Sequence, residues 1–195
     1  MHTDTHQDPA MLRVIAAEAE RLGFPFSSDR PTGSLLATLA AAKPGGRMLE
    51  LGTGLGAGAS WLLAGMDQDA RLTTVEADAA HREIAVRHLG DDPRAEFVHA
   101  DAAAWLDGYR GPGFSLIFAD CPVGKFERLD EVLALLEPGG LYVGDDLDVP
   151  ADEPGRQAMV DGFLARMRSL PGLRITLLDW STGLLVAART TRATA

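Results

Sequence analysis

Arg47-Met48-Leu49-Glu50-Leu51-Gly52-Thr53-Gly54-Leu55-Gly56-Ala57-Gly58, running on into Ala59-Ser60-Trp61-Leu62-Leu63-Ala64, reads as a short buried strand, a turn of alternating glycines, and a helix begun by small residues. Glycine is needed where a backbone turns at positive φ or where a ligand must come close to the main chain. The free N–H groups at the start of the helix face whatever lies over the turn. The stretch therefore predicts a nucleotide-type pocket at the carboxyl end of a parallel strand. The plainer alternative is a Gly-rich strand–helix turn that holds nothing.

No lysine follows these glycines, so a phosphate-binding loop of the Gly-Lys-Ser/Thr kind is excluded. Gly52-x-Gly54-x-x-Ala57 does fit the relaxed dinucleotide fingerprint, which keeps NAD(P) open. Glu50, two residues before the first glycine, argues the other way. A carboxylate there faces a pyrophosphate unfavourably but suits a ligand carrying an amine and a sulfonium. Glu50-Leu51-Gly52-Thr53-Gly54-Leu55-Gly56 resembles the first motif of class I S-adenosylmethionine (SAM) methyltransferases.

The rest of the chain sets limits on that reading. Its 195 residues suit one domain over positions 1–195, with residues 1–8 as a disordered tail. No apolar run reaches the roughly 18 residues of a membrane span, and no leader pattern opens the sequence. The single cysteine, Cys121, allows no intramolecular disulfide and fits a cytoplasmic protein. A formal charge of −10 without a basic cluster speaks against nucleic-acid partners and for a small neutral or cationic substrate.

Outward from the glycines, strands and helices alternate. Leu12, Ile15, Ala19 and Leu22 recur at helical spacing, and Leu35, Leu36 and Leu39 mark a second helix with Thr32 as its candidate cap. Strands are expected at 71–76, 96–101, 114–120, 141–144, 174–178 and 183–188. Asp78 is read as the cap of a helix to Leu89 on which His81 and His88 face solvent. Further helices are expected from about Phe126 to Leu136 and from Gln157 to Leu170, the latter with Met159, Phe163, Leu164 and Met167 inward. The loop from Asp148 to Pro154 is a candidate lid. The pattern predicts a doubly wound, Rossmann-like α/β sheet of seven strands, mostly parallel with an antiparallel C-terminal strand and helices on both faces. A homodimer packed through the N-terminal helix is one arrangement open to it.

Acids fall at the strand ends. Glu76, with Ala77 beside it, ends the second strand where a carboxylate accepts both ribose hydroxyls of an adenosine cofactor; a solvated surface acid is the competing reading. In SAM enzymes an acid after the third strand accepts the adenine amino group and the next N–H contacts a ring nitrogen. The resemblance carries those roles to Asp101 and Ala102. It likewise assigns Gly52, Thr53, Gly54, Gly56 and Glu50 to the cofactor. Trp105 is read as packing near the adenine or in the core.

Phe114 to Asp120, followed by Leu133-Ala134-Leu135-Leu136-Glu137-Pro138-Gly139-Gly140-Leu141-Tyr142-Val143-Gly144-Asp145-Asp146, resembles the small bacterial O-methyltransferases related to catechol O-methyltransferase. With the earlier motifs and Gly183-Leu184-Leu185-Val186, the resemblance covers about Thr32 to Arg189. It implies methylation of an oxygen on a small catechol- or phenol-like acceptor. It also implies a magnesium or calcium ion held by Asp120, Asp145 and Asp146, the last standing where that family usually has asparagine. Oxygen ligands suit such hard cations, and three like charges without a metal repel one another; turn or helix caps are the alternative. The family carries Asp-x-Asp-Lys after strand four. Here Asp120-Cys121-Pro122-Val123-Gly124-Lys125 sets the lysine two positions later, so Lys125 is either an aid to deprotonation beside Asp120 or a solvated charge. Cys121 has no histidine neighbour and reads as packing. Two other functions stay in view: an NAD(P)-dependent oxidoreductase, although neither Tyr109 nor Tyr142 has a lysine four residues on, and a SAM-binding protein without turnover.

Overall fold

Alternation along the central strands places apolar side chains on both faces of one sheet. β1 (Arg47–Leu51), β2 (Arg71–Glu76), β3 (Ala95–His99), β4 (Phe114–Ala119), β5 (Leu136–Gly144), β6 (Leu173–Leu178) and β7 (Leu184–Arg189) form a seven-stranded sheet in the order β3-β2-β1-β4-β5-β7-β6. The computed structural model describes residues 8–25 and 27–190. The expected tail at 1–8 thus lies outside the described residues except for Asp8, which pairs with Arg30. Pairings from β3 to β5 are parallel, and β7 runs antiparallel between β5 and β6.

On one face Met48, Leu72, Leu116, Phe118 and Val143 pack with helices α1 (Leu12–Leu22), α2 (Arg30–Ala41), α3 (Ala57–Gly65) and α4 (Ala79–Leu89). On the other, Leu49, Leu51, Ile117, Ala119 and Tyr142 meet α5 (Ala102–Gly108), α6 (Leu129–Ala134) and α7 (Pro154–Ser169). The winding reverses between β1 and β4, so a crevice opens beyond their carboxyl ends. Gly52 and Asp120 sit at that point, because Leu51 is in register with Ala119.

Several local expectations change. Asp29, not Thr32, caps α2: its carboxylate accepts the Thr32 N–H at 2.9 Å. The helix expected from Phe126 shrinks to Leu129–Ala134, because residues 122–128 form a tight turn with Gly124 at φ 91° and Arg128 at φ 55°. β5 starts at Leu136, ahead of Pro138-Gly139-Gly140, and absorbs those residues as an irregularity in its pairing with β4. Met159 faces outward at the mouth of the crevice, and Val160 takes the inward place beside Phe163 and Met167. His88 is not solvated: its side chain is 10% exposed, with Nε2 3.9 Å from Glu18. Trp105 stacks on Tyr109 at 4.6 Å between ring centres and packs, partly buried, against the core. Asp78 caps α4 as expected, accepting from Ala80 and His81.

Candidate active site

Parallel strands deliver their carboxyl ends to one rim, so each strand-end acid meets the same space. A cleft of about 800 Å³ lies there, within the range of ligand sites. Gly52, Gly54, Glu76, Ala77, Asp101 and Ala102 form its wall toward β1, β2 and β3. Asp120, Cys121, Lys125, Asp146, Arg156 and Met159 form the wall toward β4 and β5. Phe24 and His81, in edge-to-face contact at 4.9 Å, close it on the α1–α4 side.

The glycine turn works through close approach. Gly52 has φ 94°, and a Cβ there would lie 2.8 Å from the Asp120 carbonyl oxygen. Gly54 has φ 52° and donates its N–H to Glu76 Oε2 at 2.8 Å. Glu76 Oε1 accepts from Asp78 at 2.9 Å, so one carboxylate braces the turn and faces the cleft. Asp101 also does two things: it caps α5 through the Ala104 N–H at 2.9 Å and lines the cleft.

Three residues expected on the cofactor lie behind this wall. Thr53 is buried, its hydroxyl 2.5 Å from that of Thr74. Gly56 leaves room for Leu89 and Ala85 of α4, where a Cβ would come within 3.0 and 3.3 Å. Glu50 is fully buried, with Thr74 donating to Oε2 at 2.5 Å and, among the described residues, no partner for Oε1. Burial pushes the Glu50 carboxyl well above the ordinary range, against the Thr74 hydrogen bond, and the Asp120 and Glu76 charges add to the rise. A Cβ on Gly58 would lie 2.2 Å from Oε1, so that glycine makes the room for Glu50.

At the other wall the three aspartates diverge. Asp120 Oδ2 accepts the Ser28 hydroxyl at 3.2 Å, and burial first, then Asp145, raises its carboxyl well above the usual range. Asp145 is 2% exposed and is not among the cleft's lining residues, its Oδ1 accepting from the Thr182 hydroxyl and from the Asp146 N–H. Asp146 adopts φ 59°, a left-handed conformation that Asp and Asn tolerate best among side-chain-bearing residues, so the two are exchangeable there on backbone grounds. Among the described residues no three His, Cys, Asp or Glu side chains come together as a metal-holding set. Asp120 and Asp146 line the cleft, and Asp145 is not among its lining residues.

Lys125 is not solvated. It is 4% exposed, and Nζ donates to the Asp145 main-chain carbonyl at 2.8 Å. The turn that carries it is held by the Tyr142 hydroxyl, which donates to the Gly124 carbonyl at 2.6 Å. Burial raises the Cys121 thiol to about 11, consistent with a packing role. Ser28, Phe24, His81, Arg156 and Met159 escape sequence reasoning because they come from separate segments; Arg156 reaches the rim by donating to the Asp146 carbonyl at 3.1 Å.

Residues 49–147 match the family described as a methyltransferase domain, from inside β1 to just past Asp146. A protein of Mycobacterium sp. strain JLS named "Putative O-methyltransferase" is 31% identical over 190 residues, covering 90% of this chain and 86% of its own. A protein of Mycolicibacterium vanbaalenii with the same name is 31% identical over 190 residues, covering 90% and 84%. A Klebsiella pneumoniae crystal structure described in those words superposes with a TM-score of 0.81 at 28% identity, over 96% of this chain and 92% of that one. The O-methyltransferase TomG of Streptomyces achromogenes, solved with SAM, shares the fold at a TM-score of 0.82 and 24% identity, over 96% and 92%. Glycine turn, strand-end acids, reversed winding and these likenesses agree: the chain belongs to the methyltransferase-domain family, as a class I, Rossmann-like member.

Proposed function

We propose that this chain, as one domain over residues 1–195, transfers the methyl group of SAM to an oxygen of a small catechol- or phenol-like acceptor. The observation that carries this reading is the acidic wall beside the glycines. Glu76 and Asp101 stand there with Gly52 and Gly54, and the two basic side chains, Lys125 and Arg156, stand on the opposite wall together with Asp120 and Asp146. That glycine wall suits an adenosine compound bearing positive charge and offers a pyrophosphate no basic side chain. Neither tyrosine serves the dinucleotide alternative as a proton relay, since Tyr142 is buried on the Gly124 carbonyl and Tyr109 donates to the Pro112 carbonyl.

Glu76 would hold the ribose hydroxyls, because each carboxylate oxygen keeps acceptor capacity beyond the one N–H it already takes. Asp101 and Ala102 would meet the adenine, and Gly52 and Gly54 let the main chain approach the rest. When bound, the cofactor supplies a methyl on a sulfonium, which the acceptor oxygen takes as the carbon–sulfur electron pair returns to sulfur. Asp120 stands between the two walls, and its raised pKa suits it to take the acceptor's hydroxyl proton. Alignment of the reactants can contribute roughly 7–11 kcal/mol in favourable cases.

Titration calorimetry with SAM and its demethylated product tests the cofactor site; Gly54→Val and Asp101→Ala should each weaken binding. Mass spectrometry over a panel of phenols and catechols then tests transfer to oxygen. Absence of binding of both ligands at millimolar concentration would sink the reading.

A further inference from the structure

We infer that the acceptor carries an apolar chain beyond its hydroxylated ring, and that this chain lies in a groove between α6 and α7 that opens off the cleft. The inference rests on the methyl-transfer reading above and adds the shape of the acceptor away from its reacting oxygen. A second cavity, of about 430 Å³, runs between those helices, with Phe126, Leu129, Ala158, Met159, Gly162 and Phe163 as its apolar lining. Lys125, Phe126 and Met159 line both this groove and the cleft, so the two spaces meet at these side chains. With the cofactor on the glycine wall, the acceptor enters on the Asp120 and Met159 side. The groove then offers the continuation for whatever its ring carries.

One face of α7 builds the route. Arg156, Met159, Phe163 and Arg166 recur at steps of three, four and three residues, so they share a stripe that leads from the cleft into the groove. From Met159 to Arg166 that stripe is roughly 10 Å long. Met159 is 48% exposed where the two spaces meet, and a methionine adapts to apolar groups of varied shape. Phe126 meets Phe163 edge to face at 6.3 Å, which gives the groove a fixed aromatic lining. Charge then selects the occupant. Arg128 is paired with Asp107 at 2.6 Å and with Glu131 at 2.7 Å, and Arg166 with Asp130 at 2.8 Å. An anionic tail would have to compete with those pairs, whereas an alkyl or aryl chain gains by displacing water from Phe126, Leu129 and Met159.

The test uses the full chain and catechols bearing a methyl, butyl or octyl group para to one hydroxyl. kcat/KM should rise about twofold for each added methylene, short of the roughly fourfold of full burial because the groove is open to solvent. Gly162→Leu fills the groove without straining α7, since a Cβ on Gly162 meets nothing within 4 Å and leucine suits a helix better than glycine. That variant should flatten the dependence on chain length while keeping methylcatechol turnover and demethylated-cofactor affinity within about threefold of wild type. A wild-type profile flat from methyl to octyl would overturn the inference, as would a rise that Gly162→Leu leaves intact. Sedimentation showing a dimer that Gly162→Leu dissociates would give the groove to a second copy and overturn it too. Should none of the catechols be methylated, calorimetry of the same three on the chain saturated with demethylated cofactor reads the dependence directly, and a flat series there is equally fatal. Failure of the wild-type chain to bind SAM would instead remove the methyl-transfer reading, and the same calorimetry on the free chain would still decide what the groove holds.

Discussion

Glu76 and Gly54 are joined across the ends of β2 and β1 by a 2.8 Å hydrogen bond from the glycine N–H to the carboxylate. The acid assigned to the ribose is thus part of the turn that shapes the site. Its position depends on the glycine, and the glycine's on it.

Removing that acid should therefore do two things at once. Hydrogen bonds to a charged group contribute about 1.5–3 kcal/mol. Glu76→Ala should weaken the demethylated cofactor by roughly 10- to 100-fold in calorimetry. Glu76→Gln, which keeps one acceptor oxygen, should fall between it and the wild type. Equal affinities for all three would disprove the assignment.

Behind the turn, Thr74 is the donor for Glu50 and the neighbour of Thr53. Thr74→Val leaves buried oxygens without a partner and should destabilise the fold by about 1–3 kcal/mol in urea unfolding. Gly58→Ala should cost a similar amount, about 1–3 kcal/mol, by overpacking, since its methyl carbon would overlap Glu50 Oε1 and come within 3.1 Å of the Phe118 ring. Wild-type midpoints in both variants would show that Glu50 is held by something else.

Burial raises the Glu50 carboxyl above its ordinary value of 4.5. Above pH 4.5 the unfolded chain then loses this proton before the folded chain does, and the folded state binds more protons. The contribution of Glu50 to stability is consequently full below the unfolded value and is lost as pH rises through the folded value. Urea unfolding of the ligand-free chain between about pH 5 and about pH 8 should show this decline, and Glu50→Gln should lessen it, leaving the share of Asp120 and Asp145, whose carboxyls burial also raises. A slope identical in the variant would place the proton elsewhere.

Cys121 lines the cleft, and burial moves its thiol from 9.0 to about 11. Its thiolate fraction near neutral pH is then about 100-fold below that of an ordinary cysteine, and alkylation by iodoacetamide should slow in proportion. Cys121→Ser should retain methyl transfer. Rapid labelling, or loss of turnover in the serine variant, would make the thiol more than a packed side chain.

Much of the architecture was legible in local patterns. The nearly unbroken apolar run through Leu116–Ala119 and the short apolar strand ending at Leu51 mark strands covered on both faces, and the two helical layers follow from it. Asp78 before Ala79 and Gly23 after Leu22 mark helix ends through hydrogen-bonding chemistry that acts within a few residues. The helix expected from about Phe126 to Leu136 starts later, at Leu129, because Gly124 at positive φ and the Tyr142 anchor impose a turn before it. The partner of that anchor lies 18 residues away, beyond the reach of any short pattern.

The amino-acid sequence by itself determined which strands end in acids and where the glycines let a backbone pass close to a ligand, because both follow from short-range period and backbone freedom. Only the tertiary structure decided which of those acids look into the cleft. Asp145 accepts from Thr182, 37 residues on, and Lys125 is drawn inward to the Asp145 carbonyl. The direction of a side chain at a strand end is set by neighbours that the chain brings there from elsewhere, and those neighbours exist only once the sheet has formed.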